Sequence, residues 1–271
     1  MEVANDHLPH ITVCLTSISS RVATLHQTLE SLNQQNYPNF SVRLYLSSEP
    51  YLLDEGIPLL TQKCRNIIQR AGSRVELHYV ENIGPYRKLI PALVDRVGQD
   101  SLVATADDDT LYPSDWLTTL YHHYEQNRCI VCYRGHQMRM EQGKWTPYRS
   151  WMQQRPSQPK SIFNLPTGKD GVLYNTLFFS GDVLDIASTA KHARTVDDLW
   201  FKWHTALTGT PVFMINDDYR SNSLPETTSG TSLYKSFNES GSNDRAMTAL
   251  EGLFSERYGH TLLELLEIEE Y

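Results

Sequence analysis

The sequence predicts an α/β fold, a mostly parallel central sheet flanked by helices, followed by an irregular insertion and a C-terminal helix. Short β-branched apolar runs alternate with helical patterns through the first half, and turn residues punctuate the runs. A length of 271 residues is enough for one large core, since single cores grow to roughly 250 residues before splitting. One domain over 1–271 is therefore the simplest organisation, with parts at 10–133, 134–216 and 217–271.

The elements follow in order. "HITVCLTSI" is an apolar strand, and "RVATLHQTLESLNQQ" then sets Val22, Leu25, Leu29 and Leu32 on one helical face before "NYPNF" breaks it. "SVRLYLS" and "VELHYV" are strands on either side of a helical "LLTQKCRNIIQRAG". "PYRKLIPALVDRVG" supplies a helix that leads into the strand "SLVATADDD". Pro113 opens a further helix, "PSDWLTTLYHHYEQN", ahead of the strand "CIVCYRG". Residues 134–170 hold tryptophans, tyrosines and arginines without clean periodicity, which suits either a polar-ligand surface or a plain insertion. "TVDDLWFKWHTALTG" reads as a helix with Asp197 and Asp198 in its first turn, and "PVFMIN" as a strand. A polar mobile loop over 217–244 and an amphipathic C-terminal helix complete the chain.

Composition narrows the partners. Hydrophobic residues make up 40% and charged residues 21%, with a net charge of -8 and a pI of about 5.7, which gives no electrostatic reason to bind nucleic acid. "MEVANDHLPH" lacks the pattern of a signal peptide, and no run reaches the roughly 20 apolar residues of a membrane span. The expectation is a cytoplasmic protein with no transmembrane segment, in which peripheral membrane contact stays open. Cys129 and Cys132 have a C-x-x-C spacing, but no second pair or histidine cluster completes a zinc site, so Cys14, Cys64, Cys129 and Cys132 read as buried free thiols.

The chemistry concentrates in "LVATADDDTLYPSDWL". Asp107, Asp108 and Asp109 repel one another at the end of an apolar strand, the place where open α/β sheets bind ligands. Carboxylate oxygens in an Asp-x-Asp spacing suit a hard divalent cation, Mg²⁺ or Mn²⁺, whose charge offsets that repulsion. Helix capping at Pro113 explains one aspartate but not three.

In these residues the chain resembles the GT-A (Rossmann-like) glycosyltransferases, particularly the bacterial family 2-like enzymes. "ITVCLTSISSRVATLHQTLESLNQQNYPNFSVRLYLS" is similar to their opening strand, helix and strand, and "ATADDDTLYPSDWL" to their D-x-D segment. "KDGVLY" and "VDDLWFKWHTALTG" are similar to their acceptor-side strand and acidic helix start. The resemblance covers about residues 10–216. It implies a nucleotide-sugar-binding half over 10–133 and an acceptor-side half over 134–216.

For individual residues, the resemblance implies that Asp107 contacts the ribose or base, and with Asp109 holds the cation bridging the phosphates. Asp108 supports either. Thr16, Ser17 and Arg21 lie near the nucleotide, with a helix-surface charge as the alternative for Arg21. Asp198 is the implied base of an inverting transfer, and Asp197 its competitor, with helix capping as the alternative for both. Lys169 and Asp170 lie in a turn near the sugar or acceptor, or in a plain turn. The polar loop could close over the donor, so that Arg220 or Lys235 reaches the diphosphate, with disorder without function as the alternative. Neither His260 nor Asp244 sits in a motif that marks a third metal ligand, and His122 and His123 are helix residues without an assigned role. The implied donor is a UDP-sugar, and the acceptor a saccharide or glycolipid of bacterial surface polysaccharide or lipopolysaccharide synthesis.

Two other classes share some of these features. A haloacid-dehalogenase-type phosphatase also places Asp-x-Asp at a strand end, but here Leu111 stands where it has Thr or Val, and the acidic "GDVLD" is one residue short. A non-catalytic carbohydrate- or nucleotide-binding protein would have the fold without the acids. A nucleotidyltransferase would open with a glycine-rich loop, which "TSISSR" is not.

Overall fold

The computed structural model describes residues 8–217, 219, 222–224, 236–237 and 241–269, with residues 267–269 described by backbone alone. The strands are β1 (Ile11–Thr16), β2 (Phe40–Leu46), β3 (Val75–Tyr79), β4 (Leu102–Thr105), β5 (Ile130–Cys132), β6 (Gly135–Gln137), β7 (Met140–Glu141), β8 (Lys144–Trp145), β9 (Lys160–Ser161), β10 (Asn164–Pro166), β11 (Val172–Asn175) and β12 (Val212–Met214). Eight of them form one sheet in the order β3-β2-β1-β4-β11-β5-β12-β9. β1, β2, β3 and β4 run parallel, as do β5 and β12. β11 is antiparallel to both β4 and β5, and β9 antiparallel to β12. The predicted mostly parallel sheet is therefore present.

Strand alternation assigns side chains to the two faces. Ile11, Val13 and Leu15 of β1 enter one core layer, where α1 (Leu25–Asn33), α2 (Gln62–Ala71) and the later α4 (Trp116–Asn127) cover the sheet, and Cys14 enters the other. Leu25, Leu29 and Leu32 follow helical spacing and are fully buried, each contributing about 2 kcal/mol. Val22 packs against the same layer from the turn before α1. Thr61 caps α2 by accepting the Cys64 N–H, and Gly72 ends it at φ +60.

The predicted helix over 85–98 breaks into a 3₁₀ segment, Gly84–Lys88, and a short α3 (Ile90–Leu93). Pro85 and Pro91 are the reason: each lacks an N–H and is tolerated only in a first turn, so two starts replace one continuous helix. The helix expected from Pro113 begins at Trp116, which starts α4.

The insertion holds the β7–β8 and β6–β10 pairs and a short α5 (Tyr148–Trp151). Helix α6 (Ile186–His192), capped by the Asp185 carboxylate, is an element the sequence pattern did not suggest. Then α7 (Asp197–Ala206) buries Trp200 and Trp203 against the second layer. The C-terminal helix is two helices, α8 (Asn243–Tyr258) and α9 (Leu262–Glu269), because Gly259 at φ +81 ends the first. All four cysteines are buried and free. No helix among the described residues is long and apolar enough to cross a membrane. Much of the predicted loop, with Arg220 and Lys235, lies outside the described residues.

Candidate active site

β1 lies between β2 and β4, so the chain leaves the carboxyl ends of β1 and β4 on opposite sides of a crevice. A cleft of about 390 Å³ opens there. The three aspartates arrive from β4, with Ala106 fixed by its N–H to the Cys14 carbonyl at 2.9 Å. Thr16 and Ser17 arrive from β1, and Asp197 and Asp198 from the start of α7, across the cleft.

Asp108 is held from two sides. Ser17 Oγ donates to it at 2.6 Å and Arg21 Nη1 at 2.9 Å, while Thr28 Oγ1 donates to its carbonyl at 3.0 Å. Arg21 also lies 3.0 Å from Asp109 Oδ2. Asp107 is ion-paired with Lys88, and its backbone N–H donates to the Tyr112 hydroxyl at 2.7 Å. Burial first, and then the charges of Asp107 and Asp108, push the Asp109 carboxyl up to about 6, against the pull of Arg21 and Lys169.

A second cluster forms the wall near β2. Arg87, 1% exposed, donates from Nε to Thr16 Oγ1 at 2.7 Å, and from Nη2 to the Ser17 carbonyl at 2.8 Å and Asp54 Oδ2 at 2.9 Å. Asn82 Nδ2 donates to the same carboxylate oxygen at 3.2 Å. Tyr51, Leu52 and Leu53 add apolar surface at this end. At the rim, Arg194 Nε donates to the Tyr51 hydroxyl at 3.0 Å.

Opposite, Asp198 Oδ1 accepts the Gly168 N–H at 3.0 Å. Burial, then Asp197, raises Asp198 well above the usual carboxylate range. Burial also raises Asp197, against the pull of Lys88. Lys169 Nζ, on the same side, donates to Asp170 Oδ1 at 3.2 Å and Ser223 Oγ at 3.1 Å. Residues 222–224 pair with the aspartate turn: Leu224 N–H donates to the Asp109 carbonyl at 2.8 Å, and Leu111 N–H to the Asn222 carbonyl at 2.9 Å.

The structure thus brings Thr16, Ser17, Arg21, Asp107, Asp108, Asp109, Lys169, Asp197 and Asp198 to one cleft. Asp170 does not line it. Its side chain is fully buried at φ +70, and its carbonyl accepts the Trp116 indole N–H at 2.8 Å, so it shapes the turn beneath the cleft. Asp54, Asn82, Arg87 and Lys88 were not found from the sequence. Asp54 lies in an irregular loop and Asn82 in the link after β3, while Arg87 and Lys88 fall in a segment read as helix; the two prolines flanking Arg87 and Lys88 were the available signal.

The lining can be tested against a divalent cation. Six carboxylates face four basic side chains, an excess of acid that such an ion would neutralise. Among the described residues, no three metal-ligating side chains converge. Asp107 and Asp109 would supply at most two protein ligands, the pattern of Mg²⁺ sites completed by substrate phosphate oxygens. On that donor set the cleft fits the ion together with a phosphorylated ligand. The acidic "GDVLD" segment that a phosphatase would need lies elsewhere: Asp182 and Asp185 pair with Arg257 and Tyr258.

No protein-family model and no curated protein matches this chain. Solved structures do. S. aureus TarS 1-349 in complex with UDP is 14% identical at TM-score 0.49, over 77% of this chain and 59% of that one. The same protein with UDP-GlcNAc is 13% identical at TM-score 0.48, over 92% and 73%. The 4-diphosphocytidyl-2C-methyl-D-erythritol synthase of Anaerococcus prevotii is 14% identical at TM-score 0.47, over 79% and 89%. This chain spans 59% of the TarS structure it matches first.

Proposed function

We propose that the chain is a metal-dependent, inverting glycosyltransferase that moves a sugar from a nucleoside diphosphate, UDP by preference, to a hydroxyl of a saccharide or glycolipid acceptor. The observation that carries this reading is that Asp107 and Asp109 at the end of β4 face Asp197 and Asp198 at the start of α7 across one cleft. The resemblance in the sequence extends the reading to cytoplasmic synthesis of bacterial surface polysaccharide or lipopolysaccharide.

In this reading the nucleoside lies toward Asp54, Asn82 and Arg87, and the diphosphate beside Asp107 and Asp109. A Mg²⁺ or Mn²⁺ ion held by those two carboxylates would stabilise the charge growing on the leaving diphosphate. The acceptor oxygen attacks the anomeric carbon from the opposite face. A new C–O bond forms there, the bond from that carbon to the β-phosphate oxygen breaks, and its electron pair leaves with the diphosphate. Asp198 takes the acceptor proton, for which a carboxylate with a raised pKa is suited. Arg21 and Ser17 hold Asp108 so that the carboxylates on either side of it stay aimed at the cleft.

Thermal unfolding with a panel of nucleoside mono- and diphosphates, with and without Mn²⁺, tests this. UDP plus Mn²⁺ is expected to stabilise the protein more than either alone, by about 2.7 kcal/mol at a hundredfold excess over Kd. Stabilisation that is equal for every base, or no response to any nucleotide, would overturn the reading. A binding protein would show the same shift without release of UDP from a UDP-sugar.

A further inference from the structure

Residues 134–163 supply no side chain to the cleft, yet they build a groove of their own. It has a volume of about 750 Å³ between the β6–β7 connection and the stretch 157–163, and no residue lines both it and the cleft. Its walls are fixed from inside. Gln137 Oε1 accepts the Ser157 N–H at 2.9 Å and the Ser157 hydroxyl at 3.0 Å. Asn164, fully buried, donates from Nδ2 to the carbonyls of Gln158 at 3.3 Å, Pro159 at 3.2 Å and Val212 at 3.1 Å. The Arg139 carbonyl accepts the Thr146 N–H at 2.9 Å and the Thr146 hydroxyl at 3.2 Å.

These bonds leave donors over. Arg139 is half-buried, and its Nε is shut away from water with no acceptor. Its guanidinium makes no hydrogen bond or ion pair among the described residues. Gln137, whose amide oxygen is taken by Ser157, keeps both Nε2 hydrogens, and Ser161, whose Oγ accepts the Phe163 N–H at 3.1 Å, keeps its proton. Among the lining residues Glu141 is the one carboxylate, against Arg139 and Lys160. In a chain of net charge -8 whose cleft is rich in acid, this groove carries an excess of cation. A buried donor without an acceptor is costly and rare in a folded chain, so it points to a partner from outside.

We propose that this groove is a second binding site, for an acidic saccharide whose carboxylate or sulfate Arg139 receives and whose neighbouring hydroxyl oxygens accept from Gln137 and Ser161. A groove rich in donors and poor in acceptors selects a ligand of the opposite balance. A carboxylate or sulfate presents two oxygens to the guanidinium fork, and sugar hydroxyls accept hydrogen bonds while turning their own protons to water. A peptide would bring fixed N–H donors, for which this lining offers few acceptors. The site is separate from the nucleotide reading. Phe163 lines the groove and Gly168 the cleft, and five residues of extended chain span roughly 16 Å.

The test is calorimetry at fixed salt with an oligogalacturonate, a neutral malto-oligosaccharide, an oligoglutamate and sodium sulfate, on the wild type, Arg139→Met and Arg139→Lys. The wild type is expected to bind the oligogalacturonate at least tenfold more tightly than the other three. Arg139→Met should weaken it about tenfold or more, the loss of a charge-assisted hydrogen bond, and Arg139→Lys should recover only part, since an ammonium has no fork. Thermal unfolding reports on the same samples that both variants are folded, and the midpoint of Arg139→Met should not fall, because the nitrogen it removes has no partner. No binding of the oligogalacturonate, equal binding of any of the other three, or an affinity unmoved by Arg139→Met would overturn the proposal. Displacement of the saccharide by UDP with Mn²⁺ would also overturn it, by placing the saccharide in the cleft.

Discussion

Arg21 bridges two consecutive carboxylates: its Nη1 lies 2.9 Å from Asp108 Oδ1 and 3.0 Å from Asp109 Oδ2. One guanidinium nitrogen thus offsets repulsion at two positions, yet it does not offset all of it, because Asp107 adds a third charge and burial disfavours the charge of Asp109. The residual strain is visible in Asp109, pushed up to about 6. A fold that keeps such a cluster without ligand loses stability there, which is the usual relation between a binding site and a well-packed core.

That strain has a pH signature. With its pKa raised from the ordinary 3.8, Asp109 binds more protons in the folded chain than in the unfolded one between those two values. Stability of the ligand-free protein is therefore expected to fall as pH rises from about 3.8 through about 6, with the full penalty above it. Asp109→Asn removes the titration: it should be more stable than wild type at pH 7.5, lose that advantage near pH 4, and fail to bind UDP in a Mn²⁺-dependent way. Urea unfolding at both pH values measures the first part and calorimetry the second. Unchanged metal-dependent nucleotide binding by this variant would remove Asp109 from the site.

Much of this arrangement was legible in the sequence, and for identifiable reasons. The alternation of short β-branched runs with longer helical patterns set the parallel half of the sheet, since run length and composition separate the two where periodicity alone does not. The three aspartates stood out because like charges at the end of an apolar strand need a compensating partner. What periodicity could not show was which cations would be that partner. Arg87 and Lys88 sit in a segment whose apolar spacing looks helical, and only the prolines at 85 and 91 betray that the chain turns there. β11 pairs antiparallel between β4 and β5, a sheet order that depends on long-range packing and leaves no local mark. Asp170, read in a turn near the sugar or acceptor or in a plain turn, is buried in a turn whose carbonyl accepts the Trp116 indole N–H, a long-range contact without a local mark.

The turn under Asp170 makes its own prediction. Gly171 has φ +113, and a Cβ there would stand 2.6 Å from the Trp116 ring, which is fully buried and cannot retreat. Gly171→Ala is expected to destabilise the protein by about 2–4 kcal/mol, through the strained backbone and the overpacked indole together. Gly143 supplies the comparison: it has φ +68 with open space around it, so Gly143→Ala should cost only the backbone part, about 1 kcal/mol. Urea midpoints at unchanged slope separate the two. Equal losses would mean that Trp116 is free to move and does not pin the turn.

Asp197 and Asp198 sit side by side at the start of α7, but their surroundings differ. Asp197 stands in the first turn of α7, where burial raises its carboxyl against the pull of Lys88. Asp198 accepts from Gly168 and lines the cleft. Asp198→Asn is therefore expected to lower kcat by about 10²–10⁴ with UDP affinity nearly unchanged, since an amide cannot take the acceptor proton. Asp197→Asn should leave a larger part of kcat and, since burial raises that carboxyl, should not lower stability at pH 7.5. The pH profile adds a sign: kcat of the wild type falls as pH drops through the raised pKa of the base, and that acid limb should vanish in Asp198→Asn. If Asp197→Asn abolishes turnover and Asp198→Asn does not, the helix-opening carboxylate is the base and the one bonded to Gly168 is its support.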